Sequence, residues 1–336
     1  MSRYVLQRLG MLILILLGVL IITFVISRIL PSSIIEMTLG ARPTEAEIAA
    51  AKERLGLDRS IPEQLFIYLG DVLRGDFGTS LLTKRPVLME IGSRFPATLE
   101  LVIVSLVVVL VVGIPMGVWA ALNKNRPIDY SARSLSAFGA AMPTFLVAMM
   151  LQLVFAGWLG ALPLQGRVDE LILLDYEFRE ITGFYTIDSL LGGQWPAFFS
   201  AVLHLVMPVL ALSAGGLAII LRMTRGMMIE ALGEEFITTA RAYGLSATQI
   251  NFRYALRAAM VPLLTVIGLT FGYMLGISVI VEYVFDWPGI GGFVVNAITK
   301  SDYPAVMGVT LVLSASYLIV NLLIDLLHFA TDPRLR

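Results

Sequence analysis

The side chains that could do chemistry are few, and their spacing argues against most of it. The chain has no cysteine and two histidines, His204 and His328. That excludes disulfides, thiolate metal sites and a cysteine nucleophile, and leaves little for a histidine-based metal site. A phosphate-binding loop needs a lysine directly after a glycine. The lysines are Lys52, Lys84, Lys124 and Lys300, and none follows glycine. The chain is therefore expected to bind no ATP itself. One polar constellation remains, Asn321, Asp325 and His328, spaced three or four apart and so on one helix face. It would suit a proton relay if it faced a pathway at mid-membrane. Its place near the end of the last apolar run also suits anchoring at the interface. His204 has no serine partner that the sequence can place, so an enzyme finds no support.

The elements that must hold these residues are membrane spans. The 336 residues are 57% hydrophobic and 15% charged, with mean hydropathy +0.84. Soluble domains carry about 25% charged residues. A net charge of −1 gives no footprint for nucleic acid. Six apolar runs are long enough to cross a bilayer at about 20 residues each: Leu9–Ile29, Thr98–Leu122, Leu135–Leu159, Val202–Leu221, Leu263–Val281 and Ala305–Phe329. Arg3 and Arg8 place the N-terminus in the cytoplasm, and the C-terminus follows it there. The first run is read as an uncleaved span, because Ile26-Ser27-Arg28-Ile29 is a poor cleavage site. The expected fold is an all-α polytopic membrane protein with six spans.

Between the spans the chain alternates in character. Residues 30–95 form a long external excursion. In it Thr44-Glu45-Ala46-Glu47 reads as a capping box for a helix that Gly56 stops, and GDFGTS follows at Gly75–Ser80. Gly113, Pro115 and Gly117 should soften or kink the second span. Asn123–Arg133 is a short basic loop, and Pro143 interrupts the third span. The external loop Leu162–Ala197 mixes acids with aromatics and fits either a docking surface or a solvated loop. Gly268, Gly272 and Gly276 share a face of the fifth span, for packing within the chain or against another subunit.

The longest polar interruption in the second half is EEFITTARAYGLSATQINFRYALRAAMVP, Glu234–Pro262. A short helix runs to Tyr243, Gly244 supplies the left-handed stop, and Ser246 with Gln249 caps a second helix. A polar elbow between two spans is a handle for another protein. Arg241, Arg253 and Arg257 would also suit a helix resting on anionic lipid.

The elbow carries a family resemblance. TTARAYGLS followed by YALRAAMVP resembles the cytoplasmic loop of binding-protein-dependent ABC importer permeases, in the variant of the dipeptide, oligopeptide and nickel B-type subunits. Ala240, Gly244 and Leu256 match the superfamily pattern, and Thr-Ala-Arg-Ala-x-Gly matches the peptide-permease form. RLGLD…GDFGTS…RPV…RFPATLEL and VEYVFDWPGIGG are similar to the same subunits. The resemblance implies a type I importer transmembrane domain. Residues 1–95 would hold the first helix and an extracytoplasmic segment, residues 96–330 the permease core with a coupling loop at about 226–258, and residues 331–336 a cytoplasmic tail. It implies a sister permease, two cytoplasmic ATPases that bind the ATP, and an extracytoplasmic solute-binding protein, all around a chain embedded in the bilayer. It also implies Glu235, Thr239, Ala240, Arg241, Gly244 and Leu245 as the contacts that couple the chain to an ATPase. A secondary transporter or channel working without ATPases is the alternative.

Overall fold

The computed structural model describes residues 2–29, 44, 46, 58–175, 178 and 180–331. Among them the regular structure is helical, with one isolated bridge between Thr79 and Pro86. Residues 45 and 47 of the capping box, the Gly56 stop and the tail beyond Thr331 lie outside the described residues.

The helices are α1 Ser2–Ile29, α2 Ile61–Leu73, α3 Val87–Leu122, α4 Pro127–Ala141, α5 Thr144–Leu151, α6 Glu170–Asp175, α7 Tyr185–Leu191, α8 Trp195–Gly233, α9 Glu235–Ala242, α10 Leu256–Val284, α11 Ile290–Thr299 and α12 Tyr303–Thr331. Two π-helical turns, Gln152–Trp158 and Gln249–Ala255, follow α5 and precede α10. Among the described residues five helices are long and apolar enough to span a membrane, and there are six such spans if α4 and α5 with its π turn, bent by 100°, count as one. The bend has a local cause. Pro143 disfavours helical backbone at the residue before it, and Met142 is extended at φ −82°, ψ 126°.

The chain divides into two compact units. One comprises residues 2–96 and 289–318. In it Phe24 of α1 stacks on Tyr68 of α2, with ring centroids 5.8 Å apart. The GDFGTS stretch turns at Gly78, with φ of +82°, and the Gly78 N–H donates to Asp76 Oδ1 at 2.8 Å. Ser80 Oγ then donates to the buried Asp302, and so does the Leu82 N–H at 3.1 Å. GDFGTS and Asp302-Tyr303-Pro304 thus meet in one hydrogen-bonded corner, which explains why both stretches are polar and specific.

The other unit comprises residues 97–288 and 319 onward. Its core is α8, a 39-residue helix far longer than the twenty residues the apolar run suggested. Its first three residues fall in the stretch read as external loop, and it continues past Arg222 to Gly233. α3 runs as one helix through Gly113, Pro115 and Gly117. Those glycines bring α8 close. A Cβ on Gly117 would lie 2.6 Å from Thr224 Cβ, and one on Gly113 would lie 3.0 Å from Ile220. Gly268 works the same way, since a Cβ there would lie 2.5 Å from Ile324 of α12. Gly276 faces open space. The polar face of α12 also packs internally: His328 Nε2 lies 3.0 Å from Thr265 Oγ1, and a Cβ on Gly268 would lie 2.9 Å from Asn321 Oδ1.

Candidate functional site

The elbow between α8 and α10 is built as a polar surface on an apolar seat. Glu234 is extended and caps α9. The helix then ends in a Schellman motif. Gly244, at φ +77°, donates its N–H to the Arg241 carbonyl at 2.9 Å, and Leu245 donates to the Ala240 carbonyl at 3.2 Å. These bonds use carbonyls that a helix end leaves without partners. Ser246 and Gln249 then form the expected capping pair. The Ser246 N–H donates to Gln249 Oε1 at 3.1 Å, and the Gln249 N–H donates to Ser246 Oγ at 3.3 Å.

Beneath this surface lies a cluster made of Val118 and Ala121 of α3, Met228 and Ala231 of α8, Ile237 and Ala240 of α9, Ile250 and Ala255 of the π turn, and Ala259 of α10. Burying a side chain such as Ile237 or Ile250 is worth about 1.5–3 kcal/mol. An exposed hydrogen bond contributes only about 0.5–1.5 kcal/mol. The seat, and not the caps, therefore holds the elbow on the spans.

The structure divides the six residues that the resemblance singles out. Glu235, Thr239, Arg241 and Gly244 are exposed, Ala240 is buried in the seat, and Leu245 packs against its edge. Two neighbours that the sequence reading passed over stand beside them: Tyr243 is 82% exposed and Phe236 40% exposed. Large aromatics on an otherwise polar helix were the signal available for both. Arg241, Arg253 and Arg257 form no ion pair among the described residues.

The residues 162–197 at the other end of α8 form a cap of opposite construction. Arg167 is buried and donates through Nε (3.1 Å) and Nη2 to Glu100 Oε2, and also to the Gly183 carbonyl. Glu100 Oε1 accepts from the Thr186 N–H at 2.9 Å and from its hydroxyl. The guanidinium sits 3.8 Å over the Tyr185 ring. Gly166 donates to the Phe285 carbonyl at 2.9 Å, and Trp287 Nε1 donates to the Ala97 carbonyl at 2.9 Å. The VEYVFDWP stretch is thereby tied to the cap and to α3. Burial pushes the Asp188 carboxyl up, but hydrogen bonds from the Thr182 side chain and from the Thr182, Ile181 and Gly183 N–H groups outweigh it and hold the group below the usual carboxylate range. Burial, and then the hydrogen bond to Glu180, push the Tyr185 phenol up to about 12. So the cap, read from sequence as a docking surface or a solvated loop, turns part of its charge inward. Among the described residues no group of histidine, aspartate and glutamate could hold a metal ion.

The elbow and the spans that carry it fall within a stretch that matches a known family of transport proteins. The family described as binding-protein-dependent transport system inner membrane component matches residues 113–336, and its N-terminal model matches residues 1–102. The chain belongs to this family. It is a permease subunit of an ATP-driven importer and a multi-pass protein of the bacterial inner membrane. It is 41% identical to the probable D,D-dipeptide transport system permease protein DdpB of Escherichia coli K12, over 98% of this chain and 96% of that one. It is 37% identical to the dipeptide transport system permease protein DppB of the same strain, over 100% and 99%. It is 34% identical to the glutathione transport system permease protein GsiC of Salmonella choleraesuis, again over 100% and 99%. A chain of the inward-facing MetNI methionine ABC transporter matches with a TM-score of 0.49 at 17% identity, over 70% of this chain and 93% of that one.

Proposed function

We propose that the chain imports di- or tripeptides or similar small solutes as half of a heterodimeric pathway. A sister permease lies beside it. Two cytoplasmic subunits bind and hydrolyse the ATP, and an extracytoplasmic binding protein delivers the solute. The observation that carries this reading is the elbow, whose exposed polar face is fixed on a buried apolar seat shared by α3, α8 and α10. Glu235, Thr239, Arg241 and Gly244 meet an ATPase, while Ala240 and Leu245 hold that face in place. ATP-driven closure of the ATPases moves the elbow and, with it, the ends of α8 and α10. The pathway then alternates between its two openings. Coupling requires the ATPase to bind the elbow differently in the two states, because a partner shifts an equilibrium only by its differential interaction. The relatives named for dipeptides and glutathione support the substrate class.

The test is reconstitution. The chain, co-purified from its native membrane with its partners and placed in vesicles, takes up labelled dipeptide only with binding protein and hydrolysable ATP. Uptake by the chain alone would overturn the reading in favour of a secondary transporter.

A further inference from the structure

Asp129 and Arg225 lie outside the elbow, the first in the segment read from sequence as a basic loop and the second just past the fourth apolar run. The structure joins them. Arg225 of α8 grips Asp129 with both arms: Nη2 donates to Oδ2 at 2.7 Å, and Nε donates to Oδ1. Asp129 is fully buried, and its Oδ2 also accepts the Asn125 N–H at 2.9 Å, where the chain turns at φ +63°. From this clamp α4 and α8 run together in opposite directions. Ala132 and Leu221 share one buried cluster. Ser136 Oγ donates to the Ala218 carbonyl at 2.8 Å. A Cβ on Gly139 would lie 3.0 Å from the Ala214 carbonyl and 3.5 Å from Ala218 Cβ. The matched residues step by three and four along each helix, so one face lies against one face. The pairing ends at Met142, where the chain bends.

We propose that Asp129 and Arg225 are positioning residues for transport: they fasten α4 to α8, so that a displacement of the elbow is delivered to the bend at Met142–Pro143. The inference rests on the elbow being where an ATPase pushes. Ala132, Ser136 and Gly139 let α4 lie close against α8, and the charged clamp adds a directional contact at the end of that seam. The bend borders a half-open apolar groove of about 510 Å³ among α3, α4, α5 and α8, with Gly139, Met142 and Val147 in its wall.

The chain lacks cysteine, so a disulfide can test whether α4 and α8 move as one. Gly139→Cys with Ala218→Cys sets the two Cβ atoms within the roughly 3.5–4.5 Å that a disulfide needs. In the complete importer in vesicles, oxidation is expected to cross-link the pair and leave uptake within about twofold. Uptake that stops on oxidation and returns on reduction would overturn the rigid pairing. The clamp is read separately, as peptide imported per ATP hydrolysed. Arg225→Gln should lower that ratio about tenfold at unchanged complex assembly, and Arg225→Lys should recover part of it. The double variant Asp129→Asn with Arg225→Gln leaves no lone buried charge and should show the same loss. A normal ratio in the double variant, or a loss that only tracks missing complex, would sink the proposal. Gly244→Val touches neither helix. Normal import by that variant would remove the elbow reading, while the ratio for the double variant still decides whether the clamp couples hydrolysis to transport.

Discussion

The elbow and the cap at residues 162–197 are both polar interruptions between spans, yet they handle charge in opposite ways. The elbow buries Ile237 and Ile250 and leaves Arg241, Arg253 and Glu235 in solvent. The cap buries Arg167, Glu100 and Asp188 and leaves Ile181, Leu190 and Trp195 exposed. A surface meant for a partner keeps its hydrogen-bonding groups unused until the partner arrives. A structure meant to hold its own shape satisfies them internally. Polarity in sequence therefore says little about availability; what lies under each polar residue decides it.

That contrast predicts opposite rankings for stability and for uptake. Glu100→Ala should be the most destabilising change, because it leaves Arg167 buried without its carboxylate. Breaking a buried pair costs about 3–5 kcal/mol, readable as a lower unfolding temperature and faster proteolysis within residues 162–197. Asp188→Asn should cost less, about 1.5–3 kcal/mol, the worth of hydrogen bonds to a charged group. The Asp188 carboxyl is held low in the folded chain, so its contribution is fully present above the ordinary carboxylate value near 3.9 and is lost as the pH falls through the folded value. Cap protection should thus stay flat from about pH 8 to 5 and fall only in stronger acid. A loss centred near pH 6 would contradict the assignment.

In the elbow the ranking inverts. A Cβ at Gly244 meets no neighbouring atom, so Gly244→Val costs chiefly the strain of a β-branched residue at positive φ, about 1–3 kcal/mol. Even so, uptake should be abolished while the protein remains in the membrane. Gly244→Ala should be milder on both counts. Tyr243→Ala should change stability by no more than about 0.5 kcal/mol and still lower uptake severalfold. An uptake assay paired with membrane quantification checks both. If Tyr243→Ala imports normally, the exposed aromatic belongs to the lipid interface and not to a partner.

Much of this organisation could be read from the chain itself, and the reasons for the failures are specific. Gly244, the Ser246–Gln249 cap and the interruption at Pro143 depend on local backbone rules, which sequence carries directly. The extent of α8 did not, because hydropathy marks where lipid ends and not where a helix ends. The glycines of α3 looked like weak points, whereas Thr224 and Ile220 make them contact points. Asp129 looked like a loop charge. Its partner lies 96 residues away, and no single sequence announces such a pairing. The burial of Ala240 was equally out of reach, since it depends on which face of a short helix meets the seat.

The length of α8 has a mechanical consequence. At 1.5 Å per residue its 39 residues reach about 58 Å, nearly twice a hydrocarbon core of about 30 Å. Pro208 lies inside the helix and removes one rung of its ladder, and a helix of this length pivoting within the bilayer is a lever with a throw at both tips. Tilting it by about 10° would carry each tip roughly 5 Å sideways, given its length. A small rotation in the bilayer is thus geared up to a side-chain-sized stroke where the elbow hangs, and the gearing works equally well in reverse.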